Sequence, residues 1–187
     1  DDALAPATTA RKDGSAWRLD GVKTSVPAAH VAERVLVPAT TGPGKVGMFI
    51  VDPRAKGVEL QRQKGTSGER LSLMVMKDVA VDAGDVLGDP HGGREILDWT
   101  VERTLAGLCI TELGVAAEAL RMTAEYTSKR EQFGKPVGSF QAVGQRAADA
   151  YIDVEAIRMT AYQAIWRLAE GLPATEEVRI AKFWAAE

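Results

Sequence analysis

The sequence predicts an α+β protein: a small antiparallel β-barrel followed by long antiparallel helices of an incomplete helical bundle. Three observations predict it. Short runs of alternating apolar and polar residues, separated by turn residues, continue as far as Val81. A glycine-rich loop follows, with Gly84, Gly88, Pro90, Gly92 and Gly93. Beyond it the apolar period changes from two residues to the helical spacing. The expected domains are residues 1–88, the barrel, and 94–187, the first helices of a helical bundle.

Residues 1–14 are small, polar and turn-rich, which reads as a frayed end. Asp13-Gly14 marks a turn before Trp17-Arg18-Leu19, and Asp20-Gly21 marks another. Val35-Leu36-Val37 lies in a strand spanning 33–40. Residues 47–51, Gly-Met-Phe-Ile-Val, form a short apolar strand ended by Asp52-Pro53. From Val58 to Gln63 the chain alternates, with Val58 and Leu60 opposed to Glu59 and Gln61. From Arg70 to Val81 it alternates again, Leu71, Leu73 and Val75 on one side and Ser72, Met74 and Met76 on the other. Short strands punctuated by turns suit a barrel or sandwich.

From about Glu95, Val101, Leu105, Leu108, Leu113, Ala116, Leu120 and Ala124 fall at helical spacing. The pattern runs to Lys129, about 50 Å of helix. A second helix carries Phe140, Val143, Ala147, Tyr151, Val154, Ile157, Ala161, Ile165 and Leu168, and stops at Gly171-Leu172-Pro173. A third begins near Thr175, which is placed to cap it, with Glu176 and Glu177 in the first turn. Phe140, Tyr151, Ile157, Trp166, Phe183 and Trp184 are too many large apolar groups for a helix pair and a short third helix. Further helices, from another chain or from more sequence, are expected to cover them.

Composition is globular, 45% hydrophobic and 26% charged, with a net charge of −3. No basic stripe offers a footprint for nucleic acid. No apolar run approaches the roughly 18 residues of a membrane span, and no secretory leader pattern opens the chain. The single Cys109 excludes an internal disulfide and fits a small core residue in a reducing, cytoplasmic setting. His30 and His91 are the only histidines, so a His/Cys metal site is not expected.

The candidate site is the stretch joining the two long helices, from Arg130 through Gln132, Phe133, Gly134, Lys135 and Pro136 to Ser139, Phe140 and Gln141. Arg130 suits a helix C-terminus, Gly134 and Pro136 break the helix, and Ser139 is placed to cap the next one. An arginine, two amides and aromatic rings around one corner suit a pyrophosphate and an adenine. The same pattern also suits an ordinary solvated bend.

The residues resemble the acyl-CoA dehydrogenases. Trp17-Arg18-Leu19-Asp20-Gly21-Val22-Lys23, the segment Val79 to Gly88, and Arg130-x-Gln132-Phe133-Gly134-Lys135-Pro136 followed by Phe140-Gln141 carry the likeness. It covers essentially the whole sequence. The family has an N-terminal helical domain, a middle β-barrel and a C-terminal four-helix domain that makes tetramers. The resemblance maps this chain to the barrel and the start of the last domain, so a fragment or an incomplete chain is implied.

It also implies an oxidoreductase using FAD to dehydrogenate an acyl-CoA thioester, assembled as a homo- or hetero-oligomer, a dimer of dimers, through the helices. By the resemblance Arg130 contacts the FAD pyrophosphate of a neighbouring protomer and Gln132 assists. Phe133, Phe140 and Gln141 line the adenosine side of that pocket. The family's flavin-facing Trp and hydroxyl residue map to Ser25 and Pro27, which puts flavin binding by this barrel in question. A non-catalytic partner subunit lending its corner to a neighbour's FAD is the alternative. Glu102, paired with Arg103, resembles a base found in some members, although its spacing to Gly114 is longer. Glu112 is a second carboxylate of interest. The acyl group, whether straight, branched or a sterol side chain, stays open.

Overall fold

The computed structural model describes residues 5–186. They form two compact units that divide between Trp99 and Thr100. The first is a seven-stranded sheet: β1 (Thr9–Asp13), β2 (Ala16–Pro27), β3 (Val35–Gly42), β4 (Lys45–Val51), β5 (Val58–Lys64), β6 (Arg70–Val81) and β7 (Val86–Leu87). The spatial order is β5-β6-β2-β1-β3-β4-β7. β1 and β3 run parallel and the other ladders are antiparallel.

The small antiparallel barrel expected from the sequence is present as a mixed, mostly antiparallel sheet that does not close. Among the described residues no ladder joins the edge strands β5 and β7. The sequence of the edges explains this. β5 turns polar and charged from Gln61 onward, and β7 has two residues. Neither offers a run for a closing ladder, and charged or very short edges resist further pairing.

The inward face is continuous. Leu19, Val37, Phe49, Met74 and Val79 have no exposed surface, and Trp17 packs edge-on against Phe49 with ring centroids 5.6 Å apart. On β6 Ser72, Met74 and Met76 are buried, followed by Val79 and Val81, so the alternation seen in the sequence resolves toward the Ser72 side. Val58 and Leu60 of β5 pack on the same core.

Part of the expected frayed start is structured. Thr9–Asp13 is β1, joined to β2 through Gly14-Ser15 and paired from Thr9↔Asp20 to Asp13↔Ala16. Only Ala10 is buried in this strand, which leaves no hydrophobic alternation to read. Residues 1–4 of that segment lie outside the described residues.

The second unit holds three helices. α1 (Arg94–Lys129) begins in the first unit and continues through the second, followed by α2 (Gln141–Ala169) and α3 (Thr175–Ala186). Small residues set their approach: Ala106 and Cys109 of α1, Ala161 and Ala164 of α2, and Val178 and Ala181 of α3 form one buried cluster. Leu113 meets Val154 and Ile157 in a second. Burial pushes the Cys109 thiol pKa up, with the Glu112 carboxylate adding to the shift. Glu112 pairs with Lys182 of α3 at 3.1 Å, so it ties two helices together.

The large apolar excess is present as surface. Tyr151, Trp166 and Phe183 are each more than half exposed. Among the described residues no helix is long and apolar enough to cross a membrane, and no acidic, His or Cys cluster is suited to a metal.

Candidate functional site

The corner between α1 and α2 is a miniature hairpin. β8 (Glu131–Gln132) pairs with β9 (Lys135–Pro136), Glu131 opposite Pro136 and Gln132 opposite Lys135. The turn residues are Phe133 at φ 55° and Gly134 at φ 77°. Two successive positive φ values are the signature of a type I′ turn, whose twist matches its strands. Glycine adopts that conformation freely; phenylalanine does not.

Backbone bonds fix Arg130 beside this hairpin. Its N–H donates to Tyr126 O at 2.8 Å, and its carbonyl accepts from Val137 N–H at 2.7 Å. The guanidinium has no ion pair among the described residues. The neighbouring carboxylate, Glu125, is already held by Arg121 at 3.1 Å and Lys129 at 2.6 Å. Arg121, Met122, Tyr126, Lys129 and Arg130 line a groove of about 490 Å³ along the last turns of α1.

The expected cap is corrected. Ser139 sits in a short 3₁₀ turn, Val137–Ser139, and its hydroxyl donates to Pro136 O at 2.7 Å. Phe140 takes the capping position of α2 without a side-chain bond. The hydroxyl bonds within its own turn, a common competition for serine.

The aromatic pair is assembled. Phe133 and Phe140 meet edge-to-face, centroids 6.2 Å apart, and Phe133 is 91% exposed. Lys135 Nζ lies 4.4 Å from the Phe140 ring centroid. Lys135 was missed as a site residue, although it stands inside the recognised motif. Gln132 is exposed, with its amide donating to Glu131 O at 2.8 Å, and Gln141 is exposed at the start of α2. The corner therefore offers a free guanidinium, an ammonium, exposed amides and an open ring. That donor set fits a diphosphate joined to an adenine.

Glu102 is engaged elsewhere. Thr175 Oγ1 donates to Glu102 Oε1 at 2.7 Å, and Arg103 lies 3.6 Å from the same carboxylate. Thr175, expected to cap α3, is the first residue of that helix, and its hydroxyl proton goes to α1. In the sheet, Ser25 has φ 54° at a register slip between Lys23 and Val26, and its N–H donates to Gln63 Oε1 at 3.2 Å. Ser25 and Pro27 are both exposed. Neither supplies a ring to stack on a flavin, and Pro27 has no N–H or hydroxyl. This position does not fit the isoalloxazine contacts that the family makes here.

Family models of the acyl-CoA dehydrogenase middle domain and C-terminal domain match residues 1–79 and 91–187. The chain belongs to the acyl-CoA dehydrogenase family. Relatives of this family include acyl-CoA dehydrogenase FadE27 of Mycobacterium tuberculosis, 39% identical over 93% of this chain and 48% of the relative. The short-chain specific mitochondrial acyl-CoA dehydrogenase of Bos taurus is 31% identical over all of this chain and 47% of its own length. Among solved structures, the ChsE4-ChsE5 complex from Mycobacterium tuberculosis superposes with a TM-score of 0.90 at 38% identity, over 98% of this chain and 50% of that one. Butyryl-CoA dehydrogenase from Megasphaera elsdenii gives 0.90 at 28% identity, over 98% and 52%. The chain spans about half the length of the curated relatives it matches.

Proposed function

We propose that this chain is part of an FAD-dependent acyl-CoA dehydrogenase and that its corner holds the diphosphate of the cofactor. The observation that supports the reading most directly is an Arg130 without an ion pair among the described residues, in the same corner as an exposed Phe133. Arg130 and Gln132 would hold the pyrophosphate, and Phe133, Phe140 and Gln141 would line the adenosine side. Bound FAD supplies the oxidant for α,β-dehydrogenation of an acyl thioester. The residues of this chain bind and orient; no base for the α-proton is assigned to it. The middle-domain and helical-domain assignments, 1–88 and 94–187, are part of the same reading. So is assembly of four subunits through the helices.

A second reading is favoured by Ser25 and Pro27. In it this chain is the non-catalytic partner of a heteromer and lends Arg130 to a neighbour's flavin. The ChsE4-ChsE5 relative is itself a two-component complex.

One experiment serves both. The full protein is purified with and without its partner subunits, and bound FAD is read from flavin absorbance after gel filtration. Arg130→Ala should weaken FAD retention by about 1.5–3 kcal/mol, the worth of a charged hydrogen bond. Unchanged retention rejects the diphosphate role. One flavin for every copy of this chain, with no partner present, rejects the second reading.

A further inference from the structure

Lys23 is an amine set on the core side of a strand. It stands opposite Met74 in the β2–β6 ladder, and Met74 has no exposed surface. Residues directly opposite one another share a face. The other flank of β2 is open here: β1 pairs with β2 only as far as Asp20, and from Gly21 onward β2 pairs with β6 alone. Register slips before Gly21 and after Lys23 bracket a short ladder, and Ser25 beyond it has φ 54°. Irregularities of this kind re-aim side chains. Lys23 is half-buried rather than sealed, and among the described residues it makes no ion pair. Two hydroxyls flank it. Thr8 Oγ1 and Ser72 Oγ are buried without a hydrogen-bond partner among the described residues. Thr8 sits over Gly21, where an added Cβ would lie 2.7 Å from the Thr8 Cα, and Gly21 is two residues from Lys23 on the same face. Ser72 is two residues from Met74 on the buried side of β6, so the two donors bracket Lys23 along the ladder. Burial lowers the Lys23 pKa to about 8, with no neighbouring charge contributing. Near that pH about half of the amine is unprotonated, against under about 1% for an ordinary lysine.

We infer that Lys23, on the half-open face between Thr8 and Ser72, is a site of Nε-acylation by acyl thioesters. In the step, the Nζ lone pair attacks the thioester carbonyl carbon and an N–C bond forms. The C–S bond breaks, and the departing thiolate takes the proton that the nitrogen sheds. Nothing is oxidised or reduced, and no further reagent enters. The product is a neutral amide, so the cost of burying a charge disappears. Its carbonyl adds an acceptor to a face where two hydroxyls lack one. The apolar Met74 across the ladder suits an alkyl chain. The donor comes from the functional reading above, on which the inference rests to that extent: a chain that works on acyl-CoA meets thioesters continually.

The test incubates the full protein, with its partner subunits, near pH 8 with acetyl-CoA or with S-acetyl-N-acetylcysteamine, a thioester that carries no nucleotide. Adducts on each lysine are followed in time by peptide mass spectrometry. Lys23 is expected to acetylate about tenfold faster than Lys45, Lys56 and Lys77, which are exposed in the same unit. The preference should be the same for both thioesters and should vanish when the protein is unfolded in urea before the reaction. Acetylation of Lys23 no faster than that of the exposed lysines overturns the inference. So does a preference that survives in urea, because the local sequence rather than the folded face would then carry it. A preference seen with the CoA ester alone also overturns it, because a bound carrier rather than the setting of the amine would direct the acyl group. Selective modification of Lys23 in a protein that oxidises no acyl-CoA leaves this site standing and rejects the proposed function. Acyl-CoA oxidation with no preference for Lys23 does the reverse.

Discussion

Lys23 shows how one side chain couples the sheet to pH. It lies on β2 opposite the fully buried Met74, so both point to the same face of the ladder. Burial lowers its pKa to about 8. In the unfolded chain the same amine titrates near 10.5. Between these values the unfolded state binds more protons than the folded one, so stability rises with pH across the window. Below about 8 both states are protonated and the burial penalty is present in full. Thermal melts from pH 7 to 10.5 should show the wild-type midpoint climbing relative to Lys23→Met above pH 8. The substitution should stabilise the chain at pH 7, because it keeps the packing and removes the buried charge. Parallel curves for the two proteins would mean the amine reaches water freely.

Among the elements, the β8–β9 hairpin carries the clearest strain. Phe133 occupies a left-handed conformation that asparagine or glycine adopts more readily. Phe133→Asn should therefore raise the stability of the cofactor-free protein by about 1 kcal/mol. The same change removes the exposed ring and should lower FAD retention. A gain in the melting midpoint with unchanged FAD binding would assign the ring to packing on Phe140 alone. The start of α3 gives a second case. Glu102→Gln keeps an acceptor for the Thr175 hydroxyl and should leave stability within about 0.5 kcal/mol. Glu102→Ala should cost about 1 kcal/mol by removing it. A base for the α-proton would instead lose nearly all turnover in Glu102→Gln, so activity and melting midpoint together separate the two roles.

These elements also show what the sequence made legible. Residues 95–129 and 140–168 carry helical periodicity strong enough to place α1 and α2 within a residue or two. β5 and β6 follow their alternation closely. β1 was hidden because its one buried residue, Ala10, makes no pattern. The hairpin at the corner was hidden because Phe133 has no preference for a type I′ turn. The open edges of the sheet were hidden because closure depends on pairing between strands far apart in sequence. At the site, the motif pointed to Arg130 and Phe133, while the spent proton of Thr175 and the free guanidinium of Arg130 depend on neighbours that only the fold brings near.

On the scale of the whole chain, the helices carry more apolar surface than they bury. On α2, Ile152, Met159 and Trp166 recur every seven residues, and they are 61%, 72% and 55% exposed. Seven residues are close to two helical turns, so these side chains form one stripe. α1 adds Val115, Met122 and Tyr126, each more than half exposed. Monomeric proteins rarely show contiguous apolar patches beyond a few hundred Å². The buried clusters on the opposite faces already hold α1, α2 and α3 together, so the stripe is surplus to the fold of this chain. Assembly through it is the economical outcome, whether with copies of the chain or with a related subunit. Sedimentation velocity should then show one oligomer whose mass is stable over a tenfold dilution. The double variant Ile152→Lys and Met159→Lys should shift it to smaller species, because two charges would be desolvated in each contact. Its helical circular dichroism should stay close to wild type, since neither side chain belongs to the buried clusters. An oligomer that persists unchanged in the variant would place the contact on other faces, and the α2 stripe would need a different cover.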